Sequence, residues 1–375
     1  MSKTSIFLAT HLLFFTSSLI ASLLFYFWSR PRRLEIGITL AGGVGLTFWL
    51  GLVGEPYAKV MLFLAYWSAC ALLVSFFVPF FVLKNRNKRV STLELMIVPP
   101  LFNLLAAVLL SFLNRLLPST LDYYLYAFDS SFGYPPGFLA VRLLRKLGWL
   151  RVFAEAAYIN LTLALSIGYL LQRTALEQKG GHQKFVKFIL FLAVTGFLFY
   201  IVFPAVGTEV MFHGTLPPPR ISTVAMEQMP DLGEPRNCIP SLHTAWGLAL
   251  WWTCPKRPWI RLVMGIYIGL VFLYTLSCGH YLVDMIAALP FALSVYALTR
   301  KTEGEGWACS RPAASSGAIF IAWLIMLRYG VSIFQLSPII PWVISVATIV
   351  YCHFLRRAID SECGTAVPRV RSRDF

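Results

Sequence analysis

Apolar residues in this chain come in long uninterrupted runs separated by short polar breaks, and the pattern repeats from end to end. A run of about 20 apolar residues wound into a helix is long enough to cross a hydrocarbon core. Eleven runs of this kind fall near 6–28, 34–53, 60–83, 93–114, 152–171, 185–203, 240–254, 260–277, 281–299, 317–336 and 339–355. The pattern predicts an all-α, polytopic membrane helix bundle of about 11 transmembrane helices. The first run has the length of a secretory signal, but with Lys3 alone ahead of it there is no convincing basic start, and it lacks a small-residue cleavage site. It ends in Arg30, Arg32 and Arg33, and is read as an uncleaved first span.

Composition agrees with the pattern: of 375 residues, 58% are hydrophobic and 13% charged, against about 45–50% and 25% in soluble domains. No polar stretch is long enough to bury a core of its own, so no soluble domain is expected. The net charge of +15 raises nucleic acid as a partner, yet the cations lie between the spans and form no soluble basic face. Alternate loops at 29–33, 84–90, 172–187, 255–261, 300–311 and 356–375 hold 22 of the 32 Lys and Arg residues. The positive-inside rule makes these loops cytoplasmic. The chain is then expected to begin outside and end inside, with the starts of the 240–254 and 281–299 runs at the extracytoplasmic face.

Two longer connections lie on that outer side. One, about 115–150, holds Asp122, Asp129 and Pro135-Pro136-Gly137, and leads into Val141-Arg142-Leu143-Leu144-Arg145-Lys146-Leu147-Gly148-Trp149-Leu150-Arg151. Cations, leucines and a tryptophan at this spacing suit a helix in the headgroup layer; an ordinary basic linker is the competing reading. The other, about 204–239, is rich in Pro and Gly and delivers the chain to a cluster of polar residues.

That cluster, Arg236-Asn237-Cys238-Ile239-Pro240-Ser241-Leu242-His243, and a second, Gly279-His280-Tyr281-Leu282-Val283-Asp284, hold most of the chain's reactive side chains. Ionisable groups beside membrane spans are costly enough to point to function. Pro240 suits the first turn of a helix, so Pro240-Ser241-Leu242-His243 reads as a helix start, whose N–H groups and dipole favour a phosphate. The Ser241 hydroxyl adds a donor, and Arg236 a forked cation matched to phosphate oxygens. His280 and Asp284, four residues apart, would share one helix face, the carboxylate fixing the imidazole tautomer and leaving the other nitrogen free to attack. His280 would then attack phosphorus and His243 protonate the departing oxygen. The competing reading makes His243 a core histidine satisfied by neighbouring helices.

The seven cysteines form no Cys-x-x-Cys and no Cys/His spacing suited to zinc, so neither a metal site nor a cofactor is expected. Most read as buried thiols. Cys238 and Cys278 each lie two residues before a motif position, and a disulfide between them stays open.

PSLH and GHYLVD resemble the second and third signature motifs of the type 2 phosphatidic acid phosphatase superfamily, and RNCIPSLHTAW is similar to its inositol phosphorylceramide synthase-like branch. The resemblance covers roughly 93–299 and implies a six-helix phosphatase-like core, flanked by N-terminal spans in 1–92 and by C-terminal spans and a basic tail in 300–375. It implies a metal-independent reaction through a phosphohistidine, with His280 as nucleophile, Asp284 its orienting partner, His243 the acid and Ser241 in the phosphate pocket. Tyr274 stands where the phosphatase branch has an Arg, six residues before the nucleophile. The branch's first motif is not present: His213 and Arg220 have its spacing, but Ile221 follows. Phe203-Pro204-Ala205-Val206-Gly207 is more similar to the synthase-like version of that region. Arg236 and Arg220 as phosphate ligands are read from their chemistry alone.

The expected function is therefore an integral membrane enzyme that moves a phosphoryl or phospho-headgroup from a phospholipid or lipid phosphate to an alcohol. A lipid phosphatase, with water as acceptor, would use the same residues. A transporter using the histidines as a proton relay would favour ionisable groups at mid-membrane and paired repeats, neither of which the sequence displays. The expected partners are the bilayer, its lipids and an alcohol or water, without nucleic acid.

Overall fold

The computed structural model describes residues 33–51, 116–177, 181–212, 227–228, 236–254, 257–300 and 310–362, together with Ser17, Ile20 and Ala21. Nearly all of the 6–28 run, the 60–83 and 93–114 runs and Arg220 lie outside the described residues. Those described form thirteen helices: α1 (Arg33–Gly51), α2 (Asp122–Ser130), α3 (Pro136–Lys146), α4 (Gly148–Ile159), α5 (Leu161–Glu177), α6 (Gly181–Val202), α7 (Thr208–Phe212), α8 (Leu242–Thr253), α9 (Pro258–Cys278), α10 (Leu282–Arg300), α11 (Ser310–Tyr329), α12 (Val331–Gln335) and α13 (Ile339–Glu362). Strands β1 (Ser119–Thr120) and β2 (Glu227–Gln228) form one antiparallel pair, Ser119 opposite Gln228.

Two compact units result: residues 1–109 with 156–186, and residues 110–155 with 187–375. The first holds α1 and α5. The second holds both polar motifs and is organised around α10, which packs on α2, α8, α11 and α13. In α10, 67% of the apolar stretch is buried within the protein, against 17% in α9. A helix apolar on every side belongs at the centre of such a bundle. The outward faces of α9 and α13 expose Trp259, Leu262, Val263, Ile266, Trp342, Val343 and Val346. An apolar surface this extensive is what a bilayer covers.

Eight of the eleven expected runs fall on described residues, and each coincides with helix. Among the described residues four helices are long and apolar enough to cross a membrane: α9, α10, α11 and the stretch Ile339–Ser361 of α13. The pair Gly148–Ile159 and Leu161–Tyr169 makes a fifth if counted as one span. An all-α membrane bundle fits this, while three expectations change. The 152–171 run is bent by 60° at the break between α4 and α5, where Asn160 turns its side-chain amide onto the Ala156 carbonyl. The 240–254 run forms a helix of only 12 residues, too short to cross alone. The 317–336 run stops at Tyr329, because Gly330 interrupts the helix before the five-residue α12.

The basic segment after Pro135 is helical, with Pro136 in the first turn of α3, where its missing N–H is no loss. α3 buries Gly137, Ala140 and Leu144 and exposes Leu139, Leu143 and its cations.

Candidate active site

The two motifs meet at the N-terminal ends of α8 and α10. α8 starts two residues later than the sequence predicts: its first residue is Leu242 and its N-cap Ser241, and the Ile239–Pro240 peptide is cis. The Ser241 hydroxyl accepts the Thr244 N–H at 3.3 Å and the Thr244 hydroxyl at 3.1 Å. A serine oxygen satisfies an orphan N–H of the first turn better than a proline ring can, which leaves Pro240 outside the helix. Accepting both bonds, Ser241 still has its own O–H to donate.

α9 ends at Cys278, and Gly279 makes the turn into the second motif. His280 therefore sits in the link between α9 and α10, and the expected shared helix face is replaced by a capping geometry. Tyr281 precedes α10, and Asp284, in its first turn, reaches back so that Oδ2 accepts the Tyr281 N–H at 2.9 Å. This is the return half of a capping box. The same Oδ2 lies 3.3 Å from His280 Nδ1. Asp284 is fully buried and His280 nearly so, which leaves Nε2 as the nitrogen without the carboxylate. The imidazoles of His280 and His243 have centroids 6.4 Å apart, with His243 only partly covered. The Ser241 N–H also reaches the Asp284 carbonyl at 3.4 Å, tying one motif to the other.

Two carboxylates that sequence reasoning left without a role hold this arrangement together. Asp129 of α2 accepts the N–H groups of Leu282 at 2.7 Å and Val283 at 3.2 Å, capping α10 from a distant part of the chain. Asp122 accepts from the Val206 N–H at 3.0 Å, the Gly207 N–H at 2.8 Å and the Tyr281 hydroxyl at 3.0 Å. It thereby fixes the Phe203–Gly207 segment beneath the second motif. Gly207 has φ +93°, and a Cβ there would lie 1.6 Å from the Gly279 carbonyl oxygen. From the first motif, the Cys238 N–H donates to the Ala205 carbonyl at 3.3 Å and the thiol to the Gly279 carbonyl at 3.3 Å.

Of the predicted site residues, His280, Asp284, His243 and Ser241 are brought together. Arg236, 2% exposed, lies in the same loop as Cys238. A guanidinium buried so deeply is tolerated only among anionic or carbonyl partners. Tyr274 lines a cavity beside α3. Cys238 and Cys278 are not bridged, so the disulfide left open by the sequence is not formed.

Cys238, His280 and Asp284 also place ligand atoms within 4.8 Å of one another, a grouping the sequence spacing did not reveal. Burial, followed by the charges of Asp284 and Asp122, pushes the Cys238 thiol well above its ordinary range. A thiolate ligand is disfavoured accordingly; Asp284 Oδ2 already accepts the Tyr281 N–H, while Oδ1 of the same carboxylate has no hydrogen-bond partner among the described residues.

Burial pushes the Asp122 carboxyl up to about 6, outweighing the donors that favour its charge. Burial also raises Asp129, and the nearby charge of Asp284 adds to it. In the unfolded chain Asp122 loses its proton near pH ~4, so the folded state binds that proton more tightly. Its contribution to stability is full below pH ~4 and falls by about 3 kcal/mol as pH rises through the folded value. The melting temperature of the wild type is expected to fall between pH ~4 and ~6.5 relative to that of Asp122→Asn. A gap that stays constant over this range contradicts the assignment.

No curated protein and no solved structure matches the chain. Both motifs, Asp129 and the Phe203–Gly207 segment do lie inside residues 123–298, just under half of the chain, which match the family model described as the PAP2 superfamily, and this match supports placing the protein in that superfamily.

Proposed function

We propose that this protein is an integral membrane lipid phosphotransferase that works through a phosphohistidine. The PAP2 superfamily match suggests a lipid phosphatase or phosphotransferase. The observation that carries the finer reading is the buried His280–Asp284 pair at 3.3 Å, with His243 facing it at 6.4 Å between ring centroids.

With Nδ1–H directed at Asp284, the lone pair of His280 Nε2 forms the N–P bond while the bond from phosphorus to the leaving oxygen breaks. His243, which burial and the neighbouring His280 hold well below the usual imidazole range and so make a strong acid once it takes up a proton, gives that proton to the oxygen. An alcohol then approaches from the same side, loses its proton to His243 and attacks phosphorus, and the N–P bond breaks to restore His280. Arg236, Ser241 and, by its chemistry, Arg220 would hold the phosphate oxygens. None of these steps calls for a divalent ion, so the rate is expected to be the same in chelator. Counting every apolar run as a crossing, the cation bias of the loops argues for this chemistry at the extracytoplasmic face.

Tyr274, in place of a cation, favours a phosphodiester donor over a bare monoester, because it adds no charge to hold the second anionic oxygen. The second reading is a lipid phosphatase. It is favoured by the superfamily match, since PAP2 members are generally phosphatases. Product analysis with a labelled phospholipid separates the two. Label recovered on an added alcohol is the expected result; inorganic phosphate as sole product, whatever alcohol is present, assigns the hydrolase.

A further inference from the structure

Beside the catalytic loops lies a cavity of about 400 Å³ whose arginines the proposed mechanism does not use. Its walls are α3, the start of α4, α7 and the last turns of α9, and it is lined by Arg142, Arg145, Arg151, Glu209, Tyr274 and Ser277 among others. Three guanidiniums and one carboxylate line it, and a second carboxylate, Glu155, accepts a hydrogen bond from the Tyr274 of its wall, so cations are in excess by one. Arg142 and Arg145, three residues apart on α3, share a helix face, and Arg151 joins them from α4. The volume falls within the range of roughly 300–1,000 Å³ typical of small-molecule sites.

The cavity adjoins the backbone that presents His280. A Cβ at Gly137 of α3 would lie 3.2 Å from the Leu276 carbonyl and 3.7 Å from the His280 carbonyl. Cys278, two residues before His280, is part of its wall. The exposed Leu139 and Leu143 of α3 carry apolar surface alongside the arginines, an arrangement that seats a helix at the boundary of headgroups and acyl chains. Guanidiniums bind phosphate oxygens through paired N–H groups, whereas a neutral polyol gives them no charge to match.

We propose that this cavity binds a second anionic group of the substrate, a phosphate separate from the one that reacts at His280. The inference rests on the phosphotransferase reading for its meaning, but its test does not require turnover. Phosphatidylglycerol and phosphatidylglycerol phosphate share one phosphodiester, and the latter adds a terminal phosphate. Each is presented in phosphatidylcholine vesicles to the full-length protein and to His280→Ala, and equilibrium binding is measured.

Both proteins are expected to bind the phosphate-bearing lipid about tenfold more tightly, and Arg142→Gln/Arg145→Gln to erase that preference. Arg151→Gln should reduce it, and decides the matter if the double variant does not assemble. Glycerol phosphate added as a soluble competitor identifies the source of the anion: displacement points to a soluble acceptor, and its absence to a lipid headgroup. The proposal is overturned if the wild type shows no preference or if the cavity variants keep it. It is equally overturned if Arg257→Gln, an exposed arginine at the opposite end of α9, removes as much. Turnover surviving in His280→Ala would refute the mechanism and leave the cavity result standing.

Discussion

His280→Ala is expected to abolish turnover, by at least about a thousandfold, and with it any covalent phosphoenzyme. The reason is placement: His280 Nδ1 lies 3.3 Å from a fully buried carboxylate, so the other nitrogen points away from Asp284 and is the one left to attack. His243→Gln should behave differently. It removes the proton donor, a loss of about 10²–10⁴ with an ordinary lipid ester, and a donor with a good leaving group should recover much of that rate. Trapping labelled protein with acid, alongside steady-state assays, reads both effects. Turnover in His280→Ala near the wild-type rate would remove the mechanism outright.

Gly207→Ala is expected to have the second largest effect, although Gly207 does no chemistry. The added methyl would lie 1.6 Å from the Gly279 oxygen and 2.5 Å from its carbonyl carbon, both backbone atoms, at a φ of +93°. Side-chain rotation cannot relieve such a clash, so one of the two backbones must shift. Gly279 immediately precedes His280, and Gly207 is held by Asp122. The expected outcome is a loss of stability of roughly 3 kcal/mol or more together with at least a tenfold drop in kcat. Thermal unfolding and kinetics on one preparation check it, and wild-type values for both would show that the contact is not maintained.

The sequence made the reactive groups legible because each is conspicuous where it stands. A histidine, a serine and an arginine beside long apolar runs have few structural uses in a membrane, and the four-residue interval between His280 and Asp284 announced a pair. What it could not reveal was how that pair is built. The interval was read as one helix face, whereas the contact arises from Asp284 folding back over Tyr281 at the start of α10. Propensity puts the helix start at Pro240, but the Ser241 side chain accepts the Thr244 N–H, which no proline side chain can do, and so becomes the cap. Asp122 and Asp129 had no local signature at all. Their partners lie 84 to 159 residues away, and no periodicity or spacing encodes a bond of that range. The bend at Asn160 escaped notice for the opposite reason, since the hydrophobic run passes through it unbroken.

The bond from Asp129 to Leu282 spans 153 residues, and this sets a timetable for biosynthesis. A chain emerging from the ribosome exposes Asp129 long before the groups it will bind exist, and His280 and Asp284 are made together only when the start of α10 appears. Until then the carboxylate of α2 has no helix to cap, and the Phe203–Gly207 segment lacks the Tyr281 hydroxyl that shares Asp122 with it. Non-local contacts of this length close late. The proposed catalytic centre is consequently silent throughout insertion of the earlier helices, and a chain released before residue 282 carries half-built motifs without the positioned His280.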